Sequence, residues 1–139
     1  MLEGDDVRLE RESAWRRFMA QLPARSAALI AERGGAGAGL VSVGPSRDRD
    51  ASEETGEVYS IYLRSSALAG TGIGSALMQA GIAALRGGRF RDATLWVLAT
   101  NARARAFYER GEWRADGAEK LEALAGVPLP HVRYRLGSV

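Results

Sequence analysis

Ala69-Gly70-Thr71-Gly72-Ile73-Gly74 is the stretch on which the fold turns. It follows an apolar run, Val58-Tyr59-Ser60-Ile61-Tyr62-Leu63, whose β-branched and aromatic content predicts a strand. It leads into residues 75–85, where Ile73, Leu77, Ala80, Ala84 and Leu85 recur at helical spacing. Strand, glycine-rich bend and helix in that order make a physical device. Without Cβ atoms the backbone turns sharply and a ligand can approach it closely. The first helical turn then offers unpaired N–H groups and a partial positive charge to an anion, most often a phosphate. Two commoner phosphate loops do not fit. A P-loop opens its helix with Gly-Lys-Ser/Thr, whereas this helix opens Gly74-Ser75-Ala76 and the one lysine is Lys120. A dinucleotide fingerprint needs a third glycine where Ser75 stands and an acid at the end of the next strand, but Asp92 precedes its strand. Taken alone, the glycines also fit a plain tight turn.

Past Gly87-Gly88 a second apolar run, Ala93-Thr94-Leu95-Trp96-Val97-Leu98, predicts another strand. Asn101 then suits the N-cap of a helix over 102–110, and Gly111 suits its stop. With these segments the chain resembles the GNAT superfamily, the acyl-CoA-dependent N-acyltransferases. The resemblance is carried by YSIYLRSSALAGTGIGSALM (59–78) and by LWVLATNARARAFYERGEW (95–113). The second segment matches the family's strand, Asn, helix, Phe-Tyr-Glu, Gly, aromatic pattern, and PHVRYRL (130–136) looks like its closing strand.

The resemblance implies an α/β (α+β) fold: a mixed, mostly antiparallel sheet with helices on both faces. Its central parallel strands, 58–63 and 95–98, splay apart and are joined by a right-handed crossover. It implies acetyl-CoA as cosubstrate and a primary amine as acceptor, joined by direct attack in a ternary complex. The pyrophosphate would lie on the amides of the 69–75 turn. Gly70, Gly72, Gly74 and Ser75 form the cradle, with Thr71 and Ile73 within it and Ala69 as a backbone donor. Ile61, Tyr62 and Leu63 would pair with the pantetheine arm as a strand edge pairs with a peptide. A free N–H there would polarise the thioester carbonyl. Asn101 would reach the pantetheine amides while capping its helix. Tyr108 would protonate the departing sulfur, since a phenol still holds its proton at neutral pH. Glu57 is the first candidate base, with Glu53 and Glu54 behind it. The plainer alternatives are a packing tyrosine at 108, a solvated glutamate at 57, and a strand-flanking surface residue at His131.

The chain departs from the family at Ala69, where Arg or Gln is common, and in a bend one residue longer than usual. Its start also reads as shortened, without the first family strand. A domain that binds acyl-CoA without turning it over, as a sensor or assembly module, is therefore the alternative reading.

Composition is consistent with one domain over the 139 residues. Net charge is only +2 and the arginines form no polybasic block, so nucleic acid is not indicated. Zero cysteines exclude disulfides and thiolate chemistry, and a single histidine leaves no expected metal site. No run approaches a membrane span and no signal peptide is visible, so a cytoplasmic protein is expected. An edge left open by the missing strand suggests a homodimer. Residues 1–6 are expected to be disordered, and Leu9, Trp15, Phe18 and Met19 predict an amphipathic helix over 8–21. Strands at 27–31 and 40–43 are expected around a loop at 33–39, then a mobile loop at 44–56. A short strand at 113–115 is expected to precede a partly helical linker reaching 126.

Overall fold

A computed structural model describes residues 24–65, 68 and 70–139. The expected disordered start, the amphipathic helix at 8–21 and Ala69 lie outside the described residues. The elements run β1 (Ala27–Arg33), β2 (Ala36–Pro45), β3 (Thr55–Leu63), α1 (Ile73–Gly87), β4 (Asp92–Leu98), α2 (Ala102–Arg110), β5 (Arg114–Leu124) and β6 (Val127–Leu136). The strands form one six-stranded sheet in the order β1-β2-β3-β4-β6-β5. Among the described strands only β3 and β4 pair in parallel, and every other neighbour is antiparallel.

The first hairpin is tighter than expected. Gly34 and Gly35 both take positive φ, 63° and 82°, the geometry of a two-residue turn whose twist matches its strands. The small residues at 36–39 are therefore strand: Ala31 pairs with Gly39 and Arg33 with Ala36. Helix α1 buries Ile73, Leu77, Met78, Ile82 and Leu85 against β1, β2 and β3. Each such side chain contributes about 1.5–3 kcal/mol by leaving water.

Helix α2 lies on the same face. Leu95 of β4 stands opposite Tyr134 of β6, and the Tyr134 hydroxyl donates to Glu109 at 2.6 Å. Both described helices thus cover one side of the sheet. The opposite side is polar, with Ser42 against Ser60 at 2.7 Å and with Glu57, Thr94, Trp96, His131 and Arg133.

Two other expectations are corrected. The loop at 46–54 is pinned to the sheet. Arg133, nearly buried, bonds both carboxylate oxygens of Asp50 at 2.8 and 2.9 Å, and Asp48 at 3.1 Å. Asp48 also accepts from the Trp96 indole at 3.0 Å. These partners lie 83 and 85 residues away from Arg133 in sequence, so the turn-rich composition of the loop gave no sign of them. The second correction is at β5, one strand from Arg114 to Leu124 in place of a linker. Among the described residues it is an edge strand paired only with β6, and it is exposed along nearly its whole length. It therefore lacks the alternation of buried and exposed residues that identifies a strand in sequence.

Candidate active site

The parallel pairing of β3 and β4 lasts three residue pairs, Thr55–Asp92, Gly56–Ala93 and Glu57–Thr94, and then the strands part. A bulge begins the divergence: Val58 stands opposite Val43 and Ser60 opposite Ser42, leaving Tyr59 as the extra residue. Tyr59 is held there by its hydroxyl on the Pro45 carbonyl and by the Arg47 guanidinium 4.4 Å above its ring. Beyond the bulge, the bond from Arg64 N–H to Ala38 O at 2.9 Å fixes the phase of the β2–β3 ladder. Antiparallel pairs alternate, so Arg64, Tyr62 and Ser60 direct their main-chain groups at β2. Ile61 and Leu63 direct theirs into the fork, where β4 no longer pairs with them.

The glycine-rich bend closes one end of the fork. Gly70 and Gly72 take φ of 79° and 90°, a conformation costly for any residue with a Cβ. Gly72 caps α1 without any side-chain bond, and the first turn carries no acid. The first intrahelical bond is Ala76 N–H to Gly72 O at 3.0 Å, so the amides of Ile73, Gly74 and Ser75 precede the ladder.

A cavity of about 560 Å³ joins the two features. Ile61, Tyr62, Leu63, Gly70, Gly72, Gly74, Ser75, Asn101 and Tyr108 all line it, nine of the residues singled out from sequence. Two others are turned away. The Thr71 hydroxyl bonds the Leu68 carbonyl at 2.5 Å, and Ile73 sits in the core. Arg103, Phe107 and Arg110 complete the wall and were not foreseen, although their spacing of four and three residues sets them on one face of α2. The two arginines add positive charge beside the open helix end.

Helix α2 is held firmly. Asn101 Oδ1 accepts from Ala104 N–H at 3.1 Å, which leaves its NH₂ group free to point toward a ligand. Arg105 bonds the Ala99 carbonyl at 2.8 Å and the Tyr134 hydroxyl at 2.9 Å. Tyr108 is thereby fixed among Phe107, Trp113 and Tyr134, with ring centroids 5.6 to 6.5 Å apart. Its hydroxyl has no hydrogen-bond partner among the described residues, and burial pushes the phenol above its usual range, so it keeps its proton at neutral pH.

A second cavity, about 290 Å³, opens where the strands diverge, between residues 58–61 and 95–98. Tyr108 and Asn101 line it from α2, and Glu122 and His131 from the β5–β6 hairpin. His131 is only 6% exposed, not the surface residue expected. Glu57 lines neither cavity. It is buried and accepts both the Arg47 N–H and its guanidinium at 2.9 Å. Among the described residues no cluster of His, Asp or Glu could hold a metal, and no helix is long and apolar enough to cross a membrane.

The chain belongs to the acetyltransferase (GNAT) family, whose family model matches residues 3–111. It is 33% identical over 108 residues to a Mycobacterium tuberculosis protein named "Probable N-acetyltransferase", an overlap of 77% of this chain and 58% of that relative. The chain thus spans less than two thirds of that relative's length. Solved structures share the fold. An N-acetyltransferase from Staphylococcus aureus superposes with a TM-score of 0.72 at 21% identity, covering 88% of this chain and 73% of that one. A Salmonella typhimurium protein solved with its cofactor acetyl-CoA gives 0.71 at 21% identity, covering 88% and 70%. A ribosomal-protein-alanine N-acetyltransferase from Brucella melitensis gives 0.71 at 24% identity, covering 92% and 77%.

Proposed function

We propose that this chain transfers an acetyl group from acetyl-CoA to a primary amine, by direct attack in a ternary complex. One observation carries the reading: among the described residues, unclaimed main-chain groups of the fork, a helix mouth with no side-chain cap and a Tyr108 hydroxyl without a partner meet in one cavity. The amides of Gly74 and Ser75, with those of the turn before them, hold the pyrophosphate, and Arg103 and Arg110 add attraction for its charge. Ile61 and Leu63 offer outward N–H and C=O groups to the pantetheine arm, and the Asn101 amide supplies a side-chain partner. Bound there, the cosubstrate supplies an acetyl group activated as a thioester. An N–H of β3 polarises its carbonyl, a contribution worth about 3 kcal/mol where one such donor has been removed from other enzymes. Tyr108 delivers its proton to the departing sulfur. A homodimer would use β5, whose Leu121, Leu124 and neighbouring Val127 are exposed.

Calorimetry with coenzyme A tests the binding half, and millimolar cosubstrate giving no heat with folded protein ends the reading. Release of free thiol on a panel of amines tests the chemical half. Binding without thiol release on any amine favours the non-catalytic acyl-CoA module. Because the chain has no cysteine, a thiol-reactive dye reports the product alone.

A further inference from the structure

His131 sits on the far side of the β3–β4 fork from the helices and lines the cavity that Tyr108 also reaches. Its Nδ1 lies 2.9 Å from the Leu129 carbonyl. A carbonyl only accepts, so Nδ1 carries the hydrogen and, in the neutral ring, Nε2 holds the lone pair. That lone-pair edge lies 3.8 Å from a carboxylate oxygen of Glu122, which lines the same cavity as Tyr108 and the bulged main chain of β3. The separation is too long for a hydrogen bond and short enough to attract an imidazolium.

We infer that His131 is the proton acceptor for the acceptor amine, with Nε2 the receiving atom and Glu122 stabilising the cation that forms. The inference rests on the acetyl-transfer reading above. As the amine nitrogen bonds to the acyl carbon, the carbon–sulfur bond breaks and its electron pair leaves on sulfur. One amine proton goes to His131 Nε2 and the Tyr108 proton goes to sulfur. Solvent then reprotonates the tyrosine and deprotonates the histidine, so no other reactant is needed.

The surrounding charges are accounted for. Lys120, opposite His131 on β5, lies 3.5 Å from Glu122 and 4.2 Å above the Trp96 ring. Arg133, two residues along β6, is bound by Asp48, Asp50 and Asp116. Tyr59 and Tyr108 face the cavity from β3 and α2. Arg47 is bound to Glu57, which lines neither cavity, and also feels the charge of Glu122.

The test is the pH profile of kcat/KM on an amine that the wild-type chain acetylates, with coenzyme A affinity measured alongside. His131→Gln, able to keep a bond to the Leu129 carbonyl, should lose the acid-side limb and about 100-fold in kcat, with coenzyme A affinity unchanged. Glu122→Gln should lower kcat on that amine with KM and coenzyme A affinity unchanged, because the cation formed at Nε2 loses its partner. Nitrogen NMR of the wild-type ring should show hydrogen on Nδ1 and a bare Nε2 at neutral pH. A limb that survives His131→Gln and vanishes in Glu57→Gln overturns the inference while leaving acetyl transfer standing. Hydrogen on Nε2 in the neutral ring overturns it too, without any activity measurement. Bound coenzyme A with no amine acetylated removes the underlying reading and the inference together.

Discussion

The two sides of the β3–β4 fork are made of different material. The helix side is mostly main chain, from residues 61–63 and 70–75 with one face of α2, and its donors are amides that any sequence could supply in the right conformation. The opposite side is made of side chains drawn from four separated places: Arg47 and Asp48 on a loop, Glu57 on β3, Glu122 on β5, and His131 and Arg133 on β6. A site of the first kind is sensitive to backbone conformation and tolerant of side-chain exchange. A site of the second kind behaves the other way round. Loss of a single charge there leaves its partners unmatched.

That contrast can be broken in order of expected effect. Arg133→Ala should be the most damaging, at about 2 kcal/mol of stability, because the half-buried Asp48 loses its cationic partner and the charged bonds that pin Asp50 disappear, while Asp116 keeps Arg135 at 3.4 Å. A denaturation midpoint matching that of the wild-type chain would show that the polar side does not depend on this cluster. Tyr108→Phe should next lower kcat about 100-fold with coenzyme A affinity little altered. An unchanged turnover would make the residue a packing tyrosine only. Gly72→Ala tests the helix side, since φ of 90° strains an alanine by about 1–2 kcal/mol. Calorimetry should show roughly tenfold weaker coenzyme A binding. Asn101→Ala should cost about 1 kcal/mol of stability through the lost cap, read as a small shift of the thermal midpoint. Acidification gives the mildest effect. Bonding to Arg133 holds the Asp50 carboxyl below its ordinary range. Its contribution is therefore present above about pH 4, where an unfolded aspartate titrates, and is lost as pH falls through the lowered value. Asp50→Asn should flatten that part of the acid limb of the stability curve, and an unaltered curve would count against it.

The same contrast explains what could be read from the sequence. The bend at 70–75 and the Asn101 to Gly111 helix are local patterns, and the residues inferred from them converge on one cavity, save Thr71 and Ile73. Only their side chains turn away, because a turn sends alternate side chains to opposite sides, and the Ile73 amide still precedes the helical ladder. His131 looked like a surface residue because nothing in its neighbourhood announces that β6 brings it beneath the bulge. The pinning of the 46–54 loop was hidden by sequence distance, and β5 by having no buried face to give it a rhythm. The Gly34-Gly35 turn was legible in principle, yet the small residues after it masked the start of β2.

Three rungs of parallel pairing leave the outer half of β3 bonded on one edge only. A molecule that offers an amide and a carbonyl at strand spacing completes the sheet as it enters, so occupancy and local order rise together. Exchange of the Ile61 and Leu63 amides with deuterated solvent would then serve as a gauge of how full the groove is, at any concentration and without a reporter group.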